Sequence, residues 1–329
     1  MKIGLYSITF LGVWYRGPGL TVEQVIARAR EYGYAGIEVD GKRPHGNPLD
    51  LPRSRCLELR QRANDAGTPI YAVAANNDFS SPIPEHRECQ LAYLRELIGM
   101  TADLGAPTLR VFAAWPGVTL SASGGRYDVA RRVWADAHQE DAPDAIWDRC
   151  RDGLIECAAW AHDRGVTLAL QNHPPVVNDG EDMLRMIREV GSPALKACFD
   201  APLARKQGVG SMQQAVDEVG ALQVLTHFGG EYDRGADNRV IGYVRGPDGL
   251  QPEDFYADFV RASIERGYDG YIGYELCHPL PQENGETVGL EFAERNAKLA
   301  AEYMRSTIRD VQSGPRLRDV RPMKLAASP

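Results

Sequence analysis

Cysteine is sparse: the six residues, at 56, 89, 150, 157, 198 and 277, form neither a CxxC pair nor a zinc-like quartet. That density excludes a disulfide scaffold and suits a reducing compartment, so a cytoplasmic location is expected. Basic charge is also short, with 37 Lys+Arg against 45 Asp+Glu and a formal net charge of −8. A protein whose main partner is a phosphate backbone carries a clustered basic surface, so nucleic acid is not an expected partner. No stretch approaches the ~18 consecutive apolar residues of a membrane span. The apolar start MKIGLYSITFLGVWY has no cleavage site after a charged region, so neither export nor anchoring is expected. No internal repeat stands out beyond an alternation of strand and helix patterns.

That alternation is what the sequence does have. With 329 residues and 43% hydrophobic side chains it can bury a large core. Short apolar runs predict strands at Lys2–Thr9, Gly36–Asp40, Ile70–Ala74, Thr108–Ala113, Val166–Gln171, Ala194–Asp200, Gln223–His227 and Tyr271–Glu275. A helical pattern follows each. Thr21 with Gln24 forms a capping box, Val22, Val25, Ile26 and Ala29 share one face, and Gly33 ends the helix. Leu91, Leu94, Ile98 and Thr101 make a second stripe; Phe292, Asn296, Leu299 and Tyr303, with Ala293 and Ala300, make another. Repeated βα units predict an α/β fold, a (β/α)8 TIM barrel in one domain over residues 1–308. Long segments at 114–143 and 228–250, after the fourth and seventh strands, read as lids or partner surfaces. Residues 309–329 read as a tail or an arm toward a neighbouring subunit, which makes an oligomer the expected state.

In such a barrel the C-terminal strand tips converge on one pocket. Four consecutive tips are polar: Gln171, Asp200, His227 and Glu275. Two carboxylates, an imidazole and an amide suit a divalent ion of the manganese, magnesium or cobalt kind, with zinc also open. Asp200 and Glu275 would balance its charge and would otherwise repel. The plain alternative is four hydrogen-bonded strand ends. His173, two residues past Gln171, is a candidate acid or base with an ordinary pKa near 6.5; Glu275 is a second. His278 is a weaker candidate, and Cys277 reads as packing. Strand two ends in Glu38 and Asp40 and runs into a turn-rich stretch in which Lys42, Arg43 and His45 would bind the hydroxyl, carbonyl or anionic groups of a substrate, or else pair with acids on a solvated loop. Asn76, Asn77 and Asp78 read as turn formers, and Trp14, Tyr15 and Trp115 as an apolar wall or as covers of the barrel ends.

The segments KIGLYSITF, YGYAGIEVDG, LALQNH, ACFDAP, THFGG and GYIGYELC together resemble the xylose-isomerase-like TIM barrels over residues 1 to about 308. That family includes sugar isomerases, ketose 3-epimerases, inosose dehydratases and AP endonucleases. The resemblance implies metal ligands at Asp200, His227 and Glu275. It sets Gln171 where many relatives carry a glutamate that is both ligand and acid/base. An amide can offer its oxygen to a metal but cannot take a proton. The pairing of LYSITFLGVWYRGPGLT, EVDGKRPHGNPLDLP and LALQNH most resembles the barrel-forming subunit of bacterial C-glycoside deglycosidases. This implies a 3-oxo-glycoside substrate, manganese or a similar ion, and a small β-rich partner subunit. The expected reaction is cleavage of a 3-oxo-C-glycoside through a C2 enolate, with a ketose 3-epimerase or sugar isomerase as the alternative. A repair nuclease, or a subunit that has lost its metal, are further alternatives.

Overall fold

Thr21 Oγ1 accepts from the Gln24 N–H, and Gln24 Oε1 accepts from the Thr21 N–H at 2.8 Å. The capping box thereby starts α1 (Val22–Tyr32), and Gly33, at φ 77°, turns the chain out of it. The same logic of helix after strand repeats through the computed structural model, which describes residues 1–121, 124–207, 209–246, 249–253 and 255–314. The barrel strands are β1 (Lys2–Tyr6), β2 (Gly36–Asp40), β3 (Ile70–Ala74), β4 (Thr108–Val111), β5 (Thr167–Gln171), β6 (Leu195–Cys198), β7 (Gln223–Gly229) and β8 (Tyr271–Glu275). They pair in parallel in sequence order and close where β8 meets β1, with Gly4 opposite Gly273. Around them lie α2 (Arg53–Asp65), α3 (Pro84–Asp103), α4 (Pro143–Arg164), α5 (Gly180–Val190), α6 (Val209–Val219), α7 (Tyr256–Glu265) and α8 (Leu290–Ser313). The expected (β/α)8 barrel is what the chain forms.

Several strands end earlier than their apolar runs suggest, because side chains take over the backbone partners. β1 stops at Tyr6, and Ser7–Phe10 form a 3-10 turn in which Ser7 Oγ accepts the Asp40 N–H at 2.8 Å. β4 stops at Val111, where the Phe112 N–H turns to Asn77 Oδ1 at 3.1 Å. β6 stops at Cys198, since the Phe199 N–H donates to Gln223 Oε1 and the Asp200 N–H to Asn172 Oδ1 at 2.7 Å. β7 runs on to Gly229, paired with Glu275.

The two insertions carry structure of their own. After β4 come a hairpin, Thr119–Ser121 with Gly124–Arg126, and a helix, Tyr127–Ala137. After β7 comes a three-stranded antiparallel sheet of Glu231–Arg234, Val240–Gly246 and Gly249–Pro252. Residues 309–313, expected to belong to the tail, continue α8, with Val311 buried in the core; residues 315–329 of that expected tail lie outside the described residues. Among the described residues no helix is long and apolar enough to cross a membrane.

The barrel base is filled by Tyr71, stacked on Tyr271 with ring centroids 4.0 Å apart. A Cβ on Gly4 would overlap the Tyr71 hydroxyl, and one on Gly273 would come within 2.7 Å of it. Glycine at these two strand positions makes room for the ring.

Candidate active site

Above Tyr71 the interior becomes ionic. Asp200 accepts the His227 backbone N–H at 2.7 Å, and its other oxygen lies 3.0 Å from His227 Nδ1. His227 Nε2 lies 2.8 Å from Glu38 Oε2. Glu38 Oε1 is 3.5 Å from Arg110 Nε, and Arg110 Nη1 donates to Gln171 Oε1 at 2.7 Å. The Gln171 amide nitrogen then donates to Asp200 Oδ2. The five side chains close a ring across β2, β4, β5, β7 and the end of β6. A branch leaves it at Arg110 Nη2, which donates to the Tyr6 hydroxyl at 2.8 Å; Tyr6 donates to Asp40 at 2.6 Å. Arg110, 4% exposed, also lies over the Tyr6 and Phe112 rings.

Electrostatics follow from this enclosure. Burial opposes a charged His227, but Glu38 and Asp200 outweigh it and raise its pKa well above the usual value. Burial likewise pushes Asp200 up, and the opposing pull of His227, with the hydrogen bond from Gln171, brings it below the ordinary range. Glu275 is raised by burial, against the pull of His227. Burial pushes the Cys198 thiol up to about 12, so at neutral pH it is a weak neutral donor. Cys198 Sγ, Asp200 and His227 bring ligand atoms within 4.8 Å of one another. With the Glu38 carboxylate on Nε2, a usual support for a metal-bound histidine, His227 would meet a metal through Nδ1, which here lies against Asp200. The residues fit a divalent cation.

A pocket of about 260 Å³ opens over this ring. Tyr6, Lys42, Asn76, Arg110, Gln171, Asp200 and Glu275 give it a polar floor, and Trp14, Phe112, Trp115, Tyr127 and His173 an aromatic wall. Trp115 stacks on Phe112 at 5.1 Å and meets His173 edge-on at 4.8 Å. Both insertions reach the pocket, through Trp115, Val118, Tyr127 and Arg131 from one and Gly230 and Val244 from the other.

Of the residues singled out in the sequence, Gln171, Asp200 and His227 come together, and Glu275, His173 and Lys42 line the pocket above them. His173 Nδ1 is 2.6 Å from the Pro174 carbonyl, and burial lowers its pKa to about 4. Lys42 Nζ is 3.5 Å from Asn76 Oδ1. Arg43 and His45, expected at the substrate, lie elsewhere. Arg43 is exposed and ion-paired with Asp50 at 2.6 Å. His45 is buried between Ser7 Oγ at 2.9 Å and the Leu20 carbonyl at 2.8 Å, because the loop folds back through the Gly46 N–H onto the Asp40 carbonyl. Arg110 escaped sequence reading; its one signal is a lone cation inside the apolar run TLRVFAA. So did the pairing of His278 with Glu231, from the second insertion, at 2.9 Å.

Comparison with known proteins agrees with this architecture. The chain is 26% identical over 269 residues to the fructoselysine 3-epimerases of Shigella flexneri and Escherichia coli O157:H7, an overlap of 78% of this chain and 86% of each relative. Among solved structures it superposes on D-psicose 3-epimerase from Clostridium cellulolyticum H10 with a TM-score of 0.66 at 16% identity, covering 94% of this chain and 99% of the other. The 3-keto-D-glucoside 4-epimerase of E. coli gives 0.62 at 18%, covering 95% and 100%. A family model described as the xylose isomerase-like TIM barrel matches residues 26–307, and the chain belongs to that family.

Proposed function

We propose that the chain is a keto-sugar enzyme that epimerises or isomerises its substrate by moving the proton on the carbon beside the carbonyl. The observation that carries this reading is the convergence of Asp200, Glu275 and His173 on one small pocket with His227 beneath it. The relatives named as epimerases of fructoselysine, D-psicose and a 3-keto-glucoside support the substrate class. At about 260 Å³ the pocket falls below the roughly 300–1,000 Å³ of drug-sized ligand sites, a size that suits a small polar molecule. Trp14 lines it, adding an indole ring to the aromatic wall.

Asp200, His227 and Glu275 would hold a divalent ion, with manganese the first choice and magnesium, cobalt or zinc next. Such an ion supplies Lewis acidity for charge developing on a carbonyl oxygen. The chain's own residues do the rest. Glu275 takes the proton from carbon and, raised by burial, is suited to give one back. His173 keeps a proton on Nδ1 through the Pro174 carbonyl, which leaves Nε2 free to accept one. Lys42 and Asn76 stand where they can hold hydroxyl groups, and the aromatic wall excludes water from the sugar face.

A second reading is cleavage of a 3-oxo-C-glycoside, and one observation favours it: strand five delivers the Gln171 amide, which cannot take a proton, where many relatives carry a glutamate acid/base. In that reaction Glu275 removes the C2 proton, the C1–aglycone bond breaks, and the aglycone carbon takes up a proton. Turnover in D2O of free ketoses and of a 3-oxo-C-glucoside, followed by NMR, distinguishes the two. Deuterium entering a ketose together with a new epimer or isomer is the expected result; release of the aglycone with inert ketoses would replace the first reading by the second.

A further inference from the structure

The Gln171 side chain has both ends of its amide engaged inside the barrel. Its oxygen accepts from Arg110 Nη1 at 2.7 Å, and its nitrogen donates to Asp200 Oδ2. This orientation is fixed by its neighbours. Turned over, the amide would set N–H against the Arg110 N–H and oxygen against the Asp200 carboxylate, losing two hydrogen bonds and creating two repulsions. Arg110 is itself held in place by the Tyr6 hydroxyl, by Glu38, and by the Tyr6 and Phe112 rings. At 4% exposure it has little solvent to turn to if it releases Gln171. The oxygen that would have to ligate a metal is therefore committed to a buried guanidinium, while the end facing Asp200 is a donor, which has no lone pair to offer a cation.

We infer that Gln171 is not a metal ligand in this chain but a positioning residue: Arg110 clamps it, and it orients Asp200 through the Nε2–H bond. This rests on the metal-binding reading of the site and narrows the protein donors to Asp200, His227 and Glu275. It also makes the amide at 171 and the arginine at 110 a matched pair. A carboxylate at 171 would keep one oxygen on the guanidinium as an ion pair but turn its second oxygen, which unlike the amide N–H carries lone pairs, toward Asp200, so glutamate there could ligate where glutamine does not.

The test is cobalt binding to the full-length protein and its variants, read by calorimetry and by the visible absorption of the bound Co2+, which reports the ligand set. Gln171→Met should weaken binding by about 10–100-fold, as loss of a supporting partner does, and leave the absorption band unchanged. Gln171→Leu should do the same. His227→Gln and Asp200→Asn should each alter or abolish it. A Gln171→Met or Gln171→Leu band that shifts as the His227→Gln band does overturns the inference. Should Gln171→Met fail to fold, Gln171→Leu alone decides. Wild-type protein that binds no cobalt instead removes the metal-binding reading beneath it, an outcome that calorimetry separates from the others.

Discussion

Ala169, Cys198 and Leu225 lie two residues before Gln171, Asp200 and His227, so both sets face the same barrel interior. The lower set packs with Tyr71 and Ala72 as an apolar cluster; the upper set is linked by hydrogen bonds and charge. The lower layer is held by area and volume, which fail gradually: a truncation there loses transfer energy plus whatever cavity cannot collapse. The upper layer is held by pairing, which fails abruptly, because each charge removed leaves its partner buried and unmatched. One barrel interior thus combines a layer tolerant of small change with a layer that is not, and the second is the one that lines the pocket.

The largest expected effect belongs to the upper layer and to chemistry. Glu275→Gln should lower kcat by about 10²–10⁴-fold on whichever keto sugar the protein turns over, while the denaturant midpoint stays close to wild type; a loss under tenfold would take Glu275 out of the proton transfer. Next is stability. Arg110→Met should cost about 3–5 kcal/mol in chemical denaturation, since Glu38 loses its fixed countercharge. Adding Glu38→Gln should cost less than the sum of the single changes, and strict additivity would show that the ring does not act as a unit.

A smaller effect concerns pH. Burial holds folded His173 near 4, against 6.5 for a free imidazole, so the unfolded chain takes the proton first. Stability from this group is intact above about pH 6.5 and falls as the pH drops toward 4, by on the order of 3 kcal/mol. His173→Gln should flatten the stability-pH profile in that window, and an unchanged slope would contradict the burial argument. Smallest of all, Arg43→Ala should change stability by less than about 0.5 kcal/mol and leave KM unaltered; a raised KM would bring the strand-two loop back to the substrate.

Much of this contrast was legible in the sequence. Short apolar runs located all eight barrel strands, and the polar residues that end them brought Gln171, Asp200 and His227 to one place. What escaped depends on partners far along the chain. Arg110 sits in an apolar run, and no local pattern says that its guanidinium meets Glu38 and Gln171. Arg43 and His45 are near Glu38 and Asp40 in sequence, yet the loop turns them to Asp50 and Ser7. Strand ends were overrun because Asn77, Asn172 and Gln223 replace ladder partners with side-chain amides, a substitution invisible to periodicity.

Tyr71 at the barrel base has a kinetic corollary. Its ring lies against Gly4 and Gly273 in a barrel floor packed with side chains, so exchange of a catalytic proton with solvent is expected through the pocket that both insertions help to line. Isotope washout during turnover is therefore a clock for that mouth: a label retained in the product means the proton went back to carbon before a water molecule came in.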